Sequence, residues 1–295
     1  MPRWTIDSPR TLELPDVAAL RVRVISGSVA ILASQDPPSL DVASLAGQPL
    51  LVTHEAGILT VTYEDLQPGG LRGWLRPQRH TVDVTITVPR GCPTQVSVAN
   101  ASVIVSGIAA NVSAKSVSGD ITLDGVTGSV DAKTVSGDLE ARGLDGEIAF
   151  SSVSGDLTLA DGTVRSLAAR TVSGQVTADV DVPDGGGLKV ATVSGDVAVR
   201  LPREASARVD LKSTSGRLRS SFDGVTPAPG PGPATMTATL GSGSAKLSLT
   251  SLTGDVALLA RTGPPDDGRP APGGGGNGNR ASGAAPTATG SGEAK

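Results

Sequence analysis

The chain has 295 residues, 38% of them hydrophobic but only 2% aromatic, with 38 Gly, 21 Pro and a formal net charge of −4. So few rings exclude a large globular core built on aromatic packing, and the Val, Leu, Ile and Ala that make up the apolar mass favour strands. The mild acidity argues against a general nucleic-acid binder, whose footprint would be a basic stripe, so no nucleic-acid partner is expected, and a single cysteine, Cys92, excludes an internal disulfide.

The first residues, MPRWTIDSPR, contain no apolar h-region, so no secretory signal is expected. No stretch approaches the ~20 apolar residues of a membrane helix, and the expectation is a cytoplasmic protein without a membrane span. Residues 1–105 read as a β section that leads into, and caps, a region of repeats. Leu20-Arg21-Val22-Arg23-Val24 and Thr81-Val82-Asp83-Val84-Thr85-Ile86 alternate as strands do, and Ile25-Ser26-Gly27-Ser28-Val29 is a faint copy of a motif that returns later. One segment, Leu71 to His80, does not fit that pattern. Its Arg72, Trp74, Arg76 and Arg79 cluster in a loop of an acidic chain, and Arg and Trp are enriched at binding hot spots. These four are the candidate partner-binding residues; the alternative is a Trp74 folded back over the cap with its arginines solvated. His54 and His80 are the only histidines and form no H-E-x-x-H pair, so no zinc site is expected. Cys92, in a turn beside Pro93, has no evident activating partner.

From Ser106 a repeat takes over. Gly119, Gly128, Gly137, Gly146 and Gly155 are nine residues apart; Gly174, Gly195 and Gly216 follow at intervals of 19, 21 and 21, and Gly254 comes last. Self-similarity at this period is the mark of a solenoid. In one unit Val135, Gly137, Leu139 and Ala141 alternate with Ser136, Asp138 and Glu140, which predicts a seven-residue strand with the first four facing inward. Arg142-Gly143 then makes a two-residue corner, and two such units complete a coil. The inward glycine is expected either to let facing strands approach or to bend the strand. Residues 106–262 are thus expected to form a parallel β-solenoid (β-helix) of ~18–21-residue coils in an all-β protein. The unit around Leu252-Thr253-Gly254-Asp255-Val256 would add a final coil or cap. The stretch 263–295 has no apolar residue larger than Ala, and disorder is expected there.

The recurrent T/S-V-S-G-D-[ILV] units, with Val88-Pro89-Arg90-Gly91 upstream, resemble the bacterial β-strand-repeat family of unknown function labelled "putative adhesin". The resemblance spans roughly Trp4 to Leu259. It implies the repeat fold and brings no functional residues with it. The label implies surface exposure, from which a chain without an export signal departs.

The motif's aspartates, Asp120, Asp138, Asp156 and Asp196, share one repeat position and should form a ladder. Such a row suits calcium, but the paired glycines of calcium-binding solenoids are missing and Gln175 and Arg217 interrupt it, so a structural ladder without metal is the expectation. Lys115, Lys133, Arg170 and Lys212 give a broken basic row. Thr122, Thr158 and Thr177 give a threonine row broken by Glu140 and Ala198. No G-x-S-x-G, phosphate loop or dinucleotide pattern occurs. The expected function is a non-catalytic interaction or scaffold protein, not an enzyme and with no cofactor, whose partner is another protein or a second copy of itself. The alternatives are an exported adhesin-like surface protein and, less favoured, a β-helical carbohydrate-active enzyme, for which one Tyr and two Trp supply few sugar platforms.

Overall fold

Period-two alternation along almost the whole chain leaves each strand with one apolar face, and a strand can bury such a face only by stacking with others. The computed structural model describes residues 2–63, 80–228 and 232–261. The described residues up to Arg261 form one compact unit, all of its regular structure is β, and no helix is long and apolar enough to cross a membrane.

The N-terminal strands are β1 (Arg3–Ile6), β2 (Arg10–Glu13), β3 (Ala19–Ser34), β4 (Ser39–Ala46), β5 (Leu50–Glu55), β6 (Ile58–Tyr63), β7 (Thr81–Pro89) and β8 (Thr94–Ser106). The repeat supplies β9 (Val112–Lys115), β10 (Ile121–Asp124), β11 (Thr127–Lys133), β12 (Leu139–Arg142), β13 (Asp145–Ser151), β14 (Leu157–Thr171), β15 (Val176–Asp181), β16 (Gly187–Thr192) and β17 (Val197–Pro202). The last five are β18 (Ala207–Ser213), β19 (Leu218–Ser220), β20 (Ala234–Leu240), β21 (Ala245–Ser251) and β22 (Val256–Arg261).

Each coil contributes one strand to each of two parallel ladders. One ladder runs β8, β10, β12, β14, β15, β17 and the other β8, β9, β11, β13, β14, β16. The parallel β-solenoid is therefore observed, but the strand phase within a coil differs from the one that the alternation predicts. The seven-residue strand is Thr127–Lys133 or Asp145–Ser151, before the motif, and the strand after it has only four residues. T-V-S-G-D is a corner. Leu139 and Ala141 are buried as expected, while Val135 faces solvent and Thr134 takes the inward place. The motif glycine is buried as expected, but the close approach that it allows is to the neighbouring coil and not to a facing strand. A Cβ built on Gly137 would lie 2.1 Å from the carbonyl oxygen of Gly119, one coil along the stack, and Gly119, Gly155, Gly174, Gly195, Gly216 and Gly254 meet a neighbouring coil's carbonyl in the same way.

The longer periods are absorbed at the other corner. The 19-residue interval adds one residue, Arg165, which is skipped in the pairing of β13 with β14, and the 21-residue interval that follows contains the turn between Asp181 and Gly187.

At both ends the order in the stack departs from the order in the chain. β3 lies between β6 and β7 on one side and β8 on the other, all parallel. The unit around Gly254 is no end cap: β21 pairs with β16 on one side and β18 on the other, and β22 with β17 and β19. The chain runs on past its own final coil, reverses through β20, which pairs antiparallel with β18, and inserts the Gly254 coil behind it. Antiparallel strands close the opposite end as well, β2 on β4 on β7 and β1 on β5 on β6. Unpaired edges invite association unless they are short or covered; β1 and β2 have four residues each and β19 three.

Candidate functional site

The corner is built from hydrogen bonds that account for each letter of the motif. The leading Ser or Thr is buried, and in most corners its hydroxyl accepts the N–H of the glycine three residues on: Ser116 from Gly119 at 2.8 Å, Thr171 from Gly174 at 3.0 Å, Ser251 from Gly254 at 2.8 Å. Thr134 instead donates to Ser152 Oγ in the neighbouring coil at 2.9 Å. The following serine bonds twice to one carbonyl in the neighbouring coil. Ser136 donates its N–H at 2.9 Å and its hydroxyl at 3.3 Å to Val117, and Ser154, Ser173 and Ser194 repeat this on Val135, Val153 and Val172. The aspartate carboxylate accepts the N–H at the same place in the next coil: Asp120 from Asp138 at 3.0 Å, Asp138 from Asp156 at 2.8 Å, Asp196 from Asp255 at 2.8 Å. The serines and aspartates thus close the turn and tie coil to coil. Because the Gly254 coil is inserted, Arg217 follows Asp255 and ends the row rather than breaking it. Its N–H and guanidinium both bond Asp255 and hold that carboxyl below its ordinary value.

One letter remains. With the inward site taken by the hydroxyl residue, the valine is turned out. Val117, Val135, Val153, Val172, Val193 and Leu252 are each between 41% and 50% exposed, and they are six of the eight exposed large hydrophobic side chains among the described residues. The pairing of Ser136 with Val117, Ser154 with Val135, Ser173 with Val153, Ser194 with Val172 and Thr253 with Val193 places the six on consecutive coils. At about 4.8 Å per coil they form an apolar ridge about 24 Å long. The basic row borders it on one side, at the ends of the strands entering the corner, and the acidic row on the other.

Of the residues singled out by sequence, Arg72, Trp74, Arg76 and Arg79 lie outside the described residues. The strands on either side end in a packed pair: Tyr63 is fully buried, its hydroxyl without a hydrogen-bond partner among the described residues and pushed up to about 12 by desolvation, and its ring centroid is 5.2 Å from that of His80. His80 Nδ1 accepts the Gln48 N–H at 3.1 Å, and His54 Nε2 lies 3.1 Å from the Asp16 carbonyl. Cys92 is buried, its thiol raised to about 11 by desolvation. Among the described residues no three His, Cys, Asp or Glu side chains converge as a metal site would require. The ridge escapes a reading of the sequence because an apolar residue in an alternating pattern is taken as core. The signal was present: a Val or Leu at one fixed place, followed by the turn-forming Ser-Gly-Asp after Val117, Val135, Val153 and Val193, by Ser-Gly-Gln after Val172 and by Thr-Gly-Asp after Leu252.

A family model described as Toastrack DUF4097 matches residues 43–259, well over half of the chain. The chain belongs to the Toastrack family. No curated protein matches it. Solved structures similar to this Toastrack chain include a "putative adhesin" of Bacteroides fragilis, 11% identical, with 88% of this chain and 97% of that one covered at a TM-score of 0.44. A "putative lipid binding protein" of Parabacteroides distasonis is 14% identical over 87% and 98%, at 0.37. A "putative cell adhesion protein" of Clostridium sporogenes is 11% identical over 86% and 100%, at 0.25. The Toastrack family is one of unknown function.

Proposed function

We propose that this Toastrack protein is a non-catalytic interaction protein that docks through the corner ridge. The observation that carries the reading is the row of six half-exposed apolar side chains on six consecutive coils. Apolar side chains scattered singly over a surface need no explanation, whereas contiguous ones mark contact sites. The backbone beneath them is fixed by hydroxyl, carboxylate and amide bonds in every coil, so the strip is rigid before it meets a partner, and little ordering entropy is lost on binding. The same bonds support the non-catalytic part of the reading, since the motif's repeated hydroxyls and carboxylates are occupied in holding the turn.

A photo-crosslinking side chain placed at Val153 in the intact chain, with Thr158 on the adjacent strand as control, tests this in producing cells. A covalent adduct at Val153 and none at Thr158 is expected. Equal adduct at both positions, or none at either, overturns the reading.

A further inference from the structure

We propose that the ridge's occupant is the ridge of a second copy of this chain, the two related by a two-fold axis parallel to the stack. This rests on the ridge being a docking surface and names its partner. Three observations carry it.

The first is pitch. The apolar side chains recur once per coil, at about 4.8 Å, so a partner surface with any other spacing falls out of step within a few coils. A second copy has the same spacing along the whole row and can match its apolar side chains one to one from Val117 to Leu252.

The second is charge. Lys115, Lys133 and Arg170 flank the ridge on the side where strands enter the corner, and Asp120, Asp138, Asp156, Asp196 and Asp255 flank it where they leave. Rotation about an axis parallel to the ridge lays the basic flank of one copy against the acidic flank of the other: Lys115 comes opposite Asp120 and Lys133 opposite Asp138 in the same coils, while Arg170 comes opposite Gln175, with Asp156 and Asp196 in the coils on either side. Rotation about an axis across the ridge lays like against like, which is repulsive. The charge pattern therefore selects the parallel arrangement. Lys133 is already paired with Asp131 at 3.1 Å, but both side chains are exposed, and such a pair is weak enough to exchange partners.

The third is size. A single row about 24 Å long falls short of the roughly 800 Å² per partner of a stable complex. The association is accordingly reversible, growing with concentration and weakening as salt screens the flanking rows.

The two arrangements are separated by cysteines placed away from the middle of the ridge. Cys92 is 1% exposed and does not compete with them. In the parallel dimer Val117 meets Val117 of the other copy; in the antiparallel one it meets Leu252. Under mild oxidation of the full chain, Val117→Cys alone should give a disulfide-linked species of twice the 29.4 kDa chain mass. Differently tagged Val117→Cys and Leu252→Cys, when mixed, should give no mixed product. Sedimentation of the unmodified chain should show a dimer fraction that rises with concentration and falls with salt, and that Val135→Asp with Val172→Asp abolishes. A mixed Val117–Leu252 link without the homotypic one overturns the proposal, as does a monomer at all concentrations. The photoprobe at Val153 separates the two levels of inference. An adduct of twice the chain mass supports both. An adduct with a different molecule alone, from a chain that stays monomeric, removes the second copy and leaves the docking ridge standing, and no ridge-specific adduct removes both. Should the aspartate variants melt early, the cysteine links decide without them.

Discussion

A Cβ at Gly137 would sit 2.1 Å from the Gly119 carbonyl oxygen, with nothing flexible to move aside. Gly137→Ala should therefore destabilise the fold by about 1–3 kcal/mol, the overpacking range, whereas Gly91→Ala, which would meet nothing within 4 Å, should stay within about 0.5 kcal/mol of the parent. Urea unfolding of the two variants side by side checks this; equal midpoints would refute the account of the glycine ladder. Asp255 carries the pH dependence at this scale. The Arg217 N–H and then its guanidinium hold the carboxyl below its ordinary value of 3.8. Its folded-state value is depressed, so the stabilisation is fully present above about 3.8 and is lost as pH falls through the lower folded value. Asp255→Asn keeps an acceptor for the N–H and loses the charge. It should melt below the parent at neutral pH, and the gap should close in strong acid. A gap independent of pH would mean that the charge contributes nothing.

At the level of elements, the inserted coil changes what truncation does. If β21 and β22 were an end cap, removing them would bare one edge. Instead they lie between β16–β17 and β18–β19, and Leu247, Leu249, Val256 and Leu258 are buried in the common core. Arg261 adds a tie across three coils, with Asp179 at 2.6 Å and Asp181 at 2.9 Å. Ending the chain at Leu240 should therefore strip amide-exchange protection from β18 and β19, which lose their parallel neighbours, and from β20, which pairs only with β18, while Val112–Arg142 keeps it. Retained protection across β18–β20 would show that this coil can close directly onto β16 and β17.

Across the whole molecule, the first hundred residues and the repeat share their ladders. β10 pairs with the second half of β8, β9 with its first half, and β3 lies on the far side of both. A solenoid's stability is a sum of coil and neighbour terms, so cutting through a ladder costs more than cutting beyond its end. A fragment of residues 106–261 should expose the edges of β9 and β10 and associate with rising concentration, as unpaired edges do. Light scattering after gel filtration, beside the 1–261 chain, makes the comparison. A fragment no more associated than that chain would place an independent folding boundary near Ser106.

The repeat, its parallel stacking and its all-β character could be read from residues alone, because alternation and period are local properties and every coil repeats them. Leu139 and Ala141 fall inside as their alternation says. Gly137 is buried as well, but Val135 did not yield to the same reading. The corner keeps the period-two rhythm of the strand after it, so alternation alone does not mark where the chain turns; Thr134 takes the inward place, where its hydroxyl donates to Ser152 Oγ in the neighbouring coil at 2.9 Å. Neighbours in the stack were equally hidden. The Gly195, Gly216 and Gly254 units are near copies, any of which fits beside any other. The order Gly195, Gly254, Gly216 is set by the reversal through β20, a long-range pairing with no local signature. The docking ridge belongs to the same class: six valine-like residues scattered over 136 positions of sequence from Val117 to Leu252 become one surface only when the coils stack.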